Sequence, residues 1–206
     1  MNGMLYAKIL WPSVPSARIL KIDTSEAEKM PGVVRIITRK DITGPNISNV
    51  TGFRVNYDRP ILVGEGEVVK FVAAALALVA ARSQHEAERA CDKIRVEYEE
   101  LPAAHTSEQA KERGEKPFGE YFIKKGDVEK GFSEAAVIVE EDYYNPYGEH
   151  AYIEPEGGYA YVDNNGTITV TIGSQDIRQQ QLMVCRSLDY PFSRVRLYCP
   201  YVGGGF

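Results

Sequence analysis

The chain has 206 residues, 44% of them apolar and 26% charged, which suits a soluble globular protein with room for one large domain or two small ones. Its 18 glycines and 11 prolines exclude collagen-like and low-complexity chains, and its net charge of −5 argues against a polyanion partner, so no nucleic acid is expected. The longest nearly apolar stretch, residues 68–81, is interrupted at Lys70 and too short to span a bilayer, and Met1-Asn2-Gly3-Met4 lacks a secretory pattern, so no membrane association is expected.

In chain order, residues 4–10 form a strand candidate and residues 17–22 alternate as a second strand should. Ser25 followed by Glu28 has capping-box spacing and opens a short helix that Pro31-Gly32 ends. A strand over 33–38 follows, and then residues 43–58, rich in Gly, Asn and Thr, read as a loop. Further strands are predicted over 61–63, 68–69 and 71–80. Ser83 and Glu86 repeat the capping box and start a helix ending near Lys93, after which residues 94–99 alternate as a half-buried strand. Strands alternating with short helices predict an α+β fold, with a first domain over 1–103. The polar, charged segment 104–116 reads as a linker to a second region, 117–206. Within that region a short helix is predicted over 127–132 and a strand over 137–144. Strands over 159–162 and 167–172 flank Asp163-Asn164-Asn165-Gly166, a strong hairpin signal. Apolar residues at 177, 182, 184, 185 and 188 predict a helix over 177–188, followed by a strand over 194–199 that runs into Val202-Gly203-Gly204-Gly205-Phe206.

A strand feeding a glycine run is half of a ligand-binding turn, because glycine lets the backbone approach a ligand and turn its N–H groups toward an anion. The same three glycines also read as a flexible tail, and neither GxGxxG nor a Walker spacing is present. Glu149-His150-Ala151-Tyr152-Ile153-Glu154 sets an imidazole between carboxylates, and His150, Tyr152 and Glu154 share one face if the segment is extended. The readings are a metal or acid–base site or, in preference, a hydrogen-bonded structural cluster. In Gly173-Ser174-Gln175-Asp176, either Ser174 or Asp176 caps the next helix. Gln175 has an acceptor and two donors but no charge, so it suits an oxo or carbonyl oxygen better than proton transfer. The tyrosines at 143, 144, 147, 152, 159 and 161 line a pocket or, in the better reading, pack on strands and surface. His85 and His105 are expected to be solvated. The three cysteines, Cys91, Cys185 and Cys199, form no CxxC. Neither a disulfide framework nor a cysteine-based zinc or iron–sulfur site is expected; Cys185 and Cys199 are expected to act as small buried residues, and a reducing cytoplasm fits best.

The order and wording of these segments resemble the molybdenum-cofactor-binding large subunit of the xanthine dehydrogenase/aldehyde oxidase family. The residues that carry the likeness are Met4-Leu5-Tyr6-Ala7, Ile22-Asp23-Thr24-Ser25, Pro31-Gly32-Val33, Arg59-Pro60-Ile61-Leu62, Gly64-Glu65-Gly66-Glu67-Val68-Val69 and Val96-Glu97-Tyr98-Glu99-Glu100-Leu101-Pro102-Ala103. Together they are similar to an α/β hammerhead domain. Gly126-Asp127-Val128, Glu149 to Pro155, Ser174-Gln175 and the final Val202-Gly203-Gly204-Gly205-Phe206 then resemble the first part of a mixed α+β molybdopterin-binding domain, the last of them opening its GGGFGGK loop. Leu10-Trp11-Pro12-Ser13 stands where Arg-Ser-Pro is familiar, and Val14-Pro15-Ser16 lacks the usual histidines, departures that bear on subfamily.

The resemblance implies an oxidative hydroxylase that carries a molybdopterin-type molybdenum cofactor, takes oxygen from water and acts on an aromatic heterocycle or an aldehyde. It implies iron–sulfur and flavin subunits or domains as partners, the remainder of the large subunit, and a homo-oligomer as one option. By position, Gln175 matches the glutamine that hydrogen-bonds an oxo ligand, and Gly204, Gly205 and Phe206 match the loop that packs on metal and pterin. No catalytic acid–base residue or metal ligand is carried over. The chain is therefore expected to be an N-terminal piece of such a subunit, inactive alone and binding no cofactor alone; the alternative is a stand-alone, non-catalytic binding or scaffold module of the same fold.

Overall fold

The computed structural model describes residues 3–47, 59–116, 122–154 and 157–204. Its order is β1 (Tyr6–Leu10), β2 (Ala17–Asp23), α1 (Ser25–Glu28), β3 (Val33–Ile37), β4 (Val68–Val69), β5 (Ala77–Ala81), α2 (Gln84–Cys91) and β6 (Arg95–Glu100). Then come α3 (Ser107–Glu112), α4 (Val128–Glu134), β7 (Gly158–Val162), β8 (Ile168–Ile172), α5 (Ile177–Ser187) and β9 (Val195–Tyr198). Helices and strands are mixed throughout, the α+β class expected.

Two three-stranded sheets build the first part, in the orders β1-β5-β3 and β4-β2-β6. Their pairings are antiparallel. β5 is central to its sheet, and Ala77, Val79 and Ala81 on it are fully buried. The small Ala77 and Ala81 let α2 lie close, so that Ala87, Ala90 and Cys91 join one core with Ile36, Val79 and Ile94. Ile19, Val63, Val69, Ala74 and Leu76 form the second core. A register shift between Ile19 and Lys21 is the bulge that turns Leu20 outward, 54% exposed.

Local chemistry explains where the elements depart from expectation. Helix α1 starts at Ser25, so Ser25 is not its cap: Thr24 holds that position without a side-chain cap bond, and the Ser25 N–H donates to Asp23 Oδ1 (3.0 Å). Ser83 caps α2 as read, Glu86 N–H donating to its Oγ (3.3 Å), but the return bond of the box is replaced by one from the Ser83 hydroxyl to Glu86 Oε2 (2.8 Å). Residues 61–63 are not a strand. The Asn46 side chain takes the place of a neighbouring strand, accepting from Ile61 and Leu62 N–H and donating to the Leu62 carbonyl. Most of the expected loop, residues 48–58, lies outside the described residues. The segment expected to link the two parts carries α3, capped by Thr106. The expected strand over 137–144 does not form. It pairs with no strand among the described residues, and Val137, Val139 and Tyr143 are 79%, 84% and 87% exposed.

The third sheet, β7-β8-β9, positions the site. β7 and β8 pair antiparallel across the predicted hairpin. Asp163 Oδ1 accepts from Asn165 and Thr167 N–H, each at 2.9 Å, and Gly166 turns the chain at φ 75°. β8 and β9 run parallel, which requires a crossover, and α5 supplies it. Gln181 on α5 donates to the Val195 carbonyl (2.6 Å), and the Arg178 guanidinium lies 3.8 Å from the Phe192 ring centre. Both contacts fasten the helix over the start of β9.

Candidate functional site

Neighbouring parallel strands deliver their carboxyl ends to one edge of a sheet, the place where open α/β sheets bind ligands. Here β8 runs out into Gly173-Ser174-Gln175 and β9 into Cys199-Pro200-Tyr201-Val202-Gly203-Gly204. Asp176 then caps α5, its Oδ1 accepting from Gln179 N–H (3.0 Å). That settles the choice of cap and frees Ser174 and Gln175 to shape the turn. Ser174 Oγ instead accepts from Asp176 N–H (3.2 Å).

A cavity of about 200 Å³ opens at this edge, lined by Tyr152, Glu154, Ser174, Gln175, Val202 and Gly204 among others. Gln175 and Gly204, more than 25 residues apart in sequence, thus face one space. Gly205 and Phe206 lie outside the described residues. Gln175 is exposed at the cavity and Gly204 is half-buried.

Glu154 is the member that the reading of the residues left in a structural cluster. Its Oε2 accepts the Gly203 N–H. Its Oε1 lies 2.5 Å from where a Cβ on Gly173 would stand, and a Cβ on Gly203 would overlap its own Cβ. Gly203 is therefore required by close approach, whereas at Gly173 only the flexible end of the Glu154 side chain stands in the way. Glu149 to Glu154 do not share an extended face, because Ala151 sits at φ 53° and turns the segment. Tyr152 and Glu154 reach the cavity, while His150 is exposed and is not among its lining residues. Tyr152 is the only one of the six tyrosines singled out that lines this cavity. His85 and His105 are exposed, as expected. The signal that marked Glu154 was a histidine set between carboxylates, and the signal that marked its partner Gly203, beyond the end of β9, was the glycine run; nothing local linked the two.

Cys199 also clasps the turn, at Ser174. Ser174 N–H donates to its Sγ (3.3 Å), and the thiol faces the carbonyls of Ser174 (3.4 Å) and Tyr201 (3.3 Å). It is half-buried and hydrogen-bonded, unlike the small packing residue expected of it. Cys185, on the inner face of α5, is buried, and burial pushes its thiol pKa up; burial does the same to Cys91. Among the described residues no group of three or more His, Cys, Asp or Glu is placed to hold a metal ion, and no helix is long and apolar enough to cross a membrane.

Comparison with known proteins covers both parts. A family described as "Aldehyde oxidase and xanthine dehydrogenase, a/b hammerhead domain" matches residues 1–102, and "Molybdopterin cofactor-binding domain" matches residues 112–206. A probable xanthine dehydrogenase component of Bacillus subtilis is 35% identical over 99% of this chain and 28% of its own length. The nicotinate dehydrogenase large molybdopterin subunit of Eubacterium barkeri is 33% identical over 98% of this chain and 48% of its own. The solved aldehyde oxidoreductase of Desulfovibrio gigas superposes with a TM-score of 0.87 at 31% identity, over 100% of this chain and 24% of that one. The chain thus spans between about a quarter and a half of each of these relatives.

Proposed function

Since the chain belongs to the xanthine dehydrogenase/aldehyde oxidase family of molybdenum hydroxylases, we propose that it supplies the hammerhead domain and the leading wall of the cofactor site of such an enzyme's large subunit. The observation that carries this reading is the meeting of Gln175 and Gly204 at the carboxyl edge of β8 and β9. On this reading residues 1–103 form the hammerhead, 104–116 join it to the cofactor-binding part, and 117–206 open that part.

The residues present suit one face of a molybdopterin-type group. Gln175 offers a neutral acceptor and two N–H donors, and the glycine backbone leaves room for a bulky ligand. The described lining holds no Lys or Arg, so an anionic phosphate tail finds its countercharge elsewhere in the subunit. When bound, such a cofactor supplies a two-electron oxidation that places water-derived oxygen on carbon. At that face Gln175 would orient an oxygen through its carboxamide and the Gly204-Gly205-Phe206 run would pack against the group, while Glu154 and Cys199 hold the turn and the strand end that present Gln175 and Gly204. Substrate is an aromatic heterocycle or an aldehyde, and electrons leave through iron–sulfur and flavin partners. With three free cysteines, a reducing cytoplasm suits the protein.

A cofactor of this size needs walls from several segments, and this chain presents one. Purified alone, it is expected to contain far less than one molybdenum per chain by metal analysis and to hydroxylate neither class of substrate. Joined to the rest of such a subunit, in a host that makes the cofactor, it is expected to approach one. Near-stoichiometric molybdenum in the isolated chain would overturn the proposal.

A further inference from the structure

Glu154 is the only charged side chain among the described residues that line the cavity, and a carboxylate is an unusual lining for a pocket read as taking an anionic group. Its contacts explain its presence. The carboxylate lies half-buried between two glycine-bearing segments that are 30 residues apart in sequence, Gly173 at the end of β8 and Gly203 beyond the end of β9. One oxygen accepts the Gly203 N–H and the other fills the space over Gly173 that a side chain would occupy. A charged acceptor makes such a bond about twice as strong as a neutral one. The bond also satisfies a backbone N–H that no β9 ladder partner reaches, since the β8–β9 pairing ends at Thr171 and Tyr198.

We propose that Glu154 is a positioning residue: its carboxylate pins the backbone at Gly203 beside the turn that carries Gln175, so that Gly204 and Gln175 face the cavity in fixed relation. The Cys199 thiol clasps the same turn at Ser174, so the backbone leading into Gln175 is held by a second contact. This inference deepens the reading of the site as a cofactor wall and rests on it for its purpose, but the bond itself is a property of this chain.

The test is amide hydrogen exchange on the full 206-residue chain, followed by NMR on isotope-labelled protein. Glu154→Ala is expected to speed exchange at the Gly203 amide about tenfold, the loss of one hydrogen bond, while amides of β5 and β8 change less than about twofold. Glu154→Gln keeps an acceptor oxygen and is expected to restore protection to within about threefold of the parent. In the unaltered chain the Gly203 amide proton is expected to change its chemical shift as carboxylates are protonated, and Glu154→Gln abolishes that change, a reading that stands even if Glu154→Ala fails to fold. Unchanged exchange at Gly203 in Glu154→Ala, equal loss in both variants, or a pH-insensitive Gly203 shift would each overturn the proposal. No cofactor enters these measurements, so their failure is separable from a failure of the molybdenum analysis.

Discussion

Asp41 shows how one carboxylate organises the hammerhead edge. Its Oδ2 accepts from Thr38 N–H (2.8 Å) and Thr38 Oγ1 (3.1 Å), and Arg35 reaches Oδ1 at 2.6 Å. The Thr38 backbone bond first, and then Arg35, hold its pKa below the ordinary 3.8. The Ile22 N–H, followed by Lys40, does the same for Glu65. A carboxylate depressed on folding contributes stability in full above its unfolded value, and that contribution is lost as pH falls through the lower folded value. Unfolding free energy is therefore expected to be level above about pH 5 and to fall below about pH 4. Asp41→Asn is expected to flatten that slope, as measured by urea titrations at successive pH values. An unchanged slope would show that Asp41 makes no such contribution.

Among the elements, α5 carries a terminus with a specific cost. Asp189 follows the helix at φ 48°, and its N–H donates to the Arg186 carbonyl (3.3 Å) while Tyr190 N–H donates to Cys185 (2.8 Å). These are the two bonds of a Schellman motif, in which glycine is the favoured residue at the left-handed position. Asp189→Gly relieves the steric cost of a Cβ there, partly offset by the added freedom of the unfolded chain. Thermal unfolding is expected to register a gain of up to about 1 kcal/mol. The hairpin and α2 were legible because their determinants are local: Asp163 and Gly166 for the first, Ser83 and Glu86 for the second. The expected strand over 137–144 shows the limit of that method, since alternation and β-branching mark a segment able to pair but not the partner it needs. Residues 61–63 show the reverse case, where a single distant side chain, Asn46, takes over the backbone bonds a strand would have used.

At the scale of the whole molecule, backbone and side-chain bonds among the described residues join Thr43 and Gly44 of the first part to the end of α5. Gly44 N–H donates to the Ser187 carbonyl (3.3 Å) and Thr43 Oγ1 to that of Leu188 (3.3 Å), both at the end of α5. A Cβ on Gly44 would overlap the carbonyl oxygen of Arg186, and backbone cannot yield as a flexible side chain can. Gly44→Ala is expected to cost about 1–3 kcal/mol and to uncouple the two parts, resolving thermal unfolding into two steps in calorimetry. A single unshifted transition would show that this joint does not couple them.

Composition, turn residues and caps were enough to establish the α+β class, most of the helices and the β7–β8 hairpin, because each depends on residues within a few positions of one another. The ordered likeness along the chain added the family, and the proposed roles of Gln175 and the glycine run rest on it. The parallel pairing of β8 with β9, the cavity at their shared edge, and the reach of Glu154 across to Gly203 came only with the folded chain. A hydrogen bond between residues 49 positions apart leaves no local pattern, and only the α5 crossover brings those strand ends to the same side of the sheet.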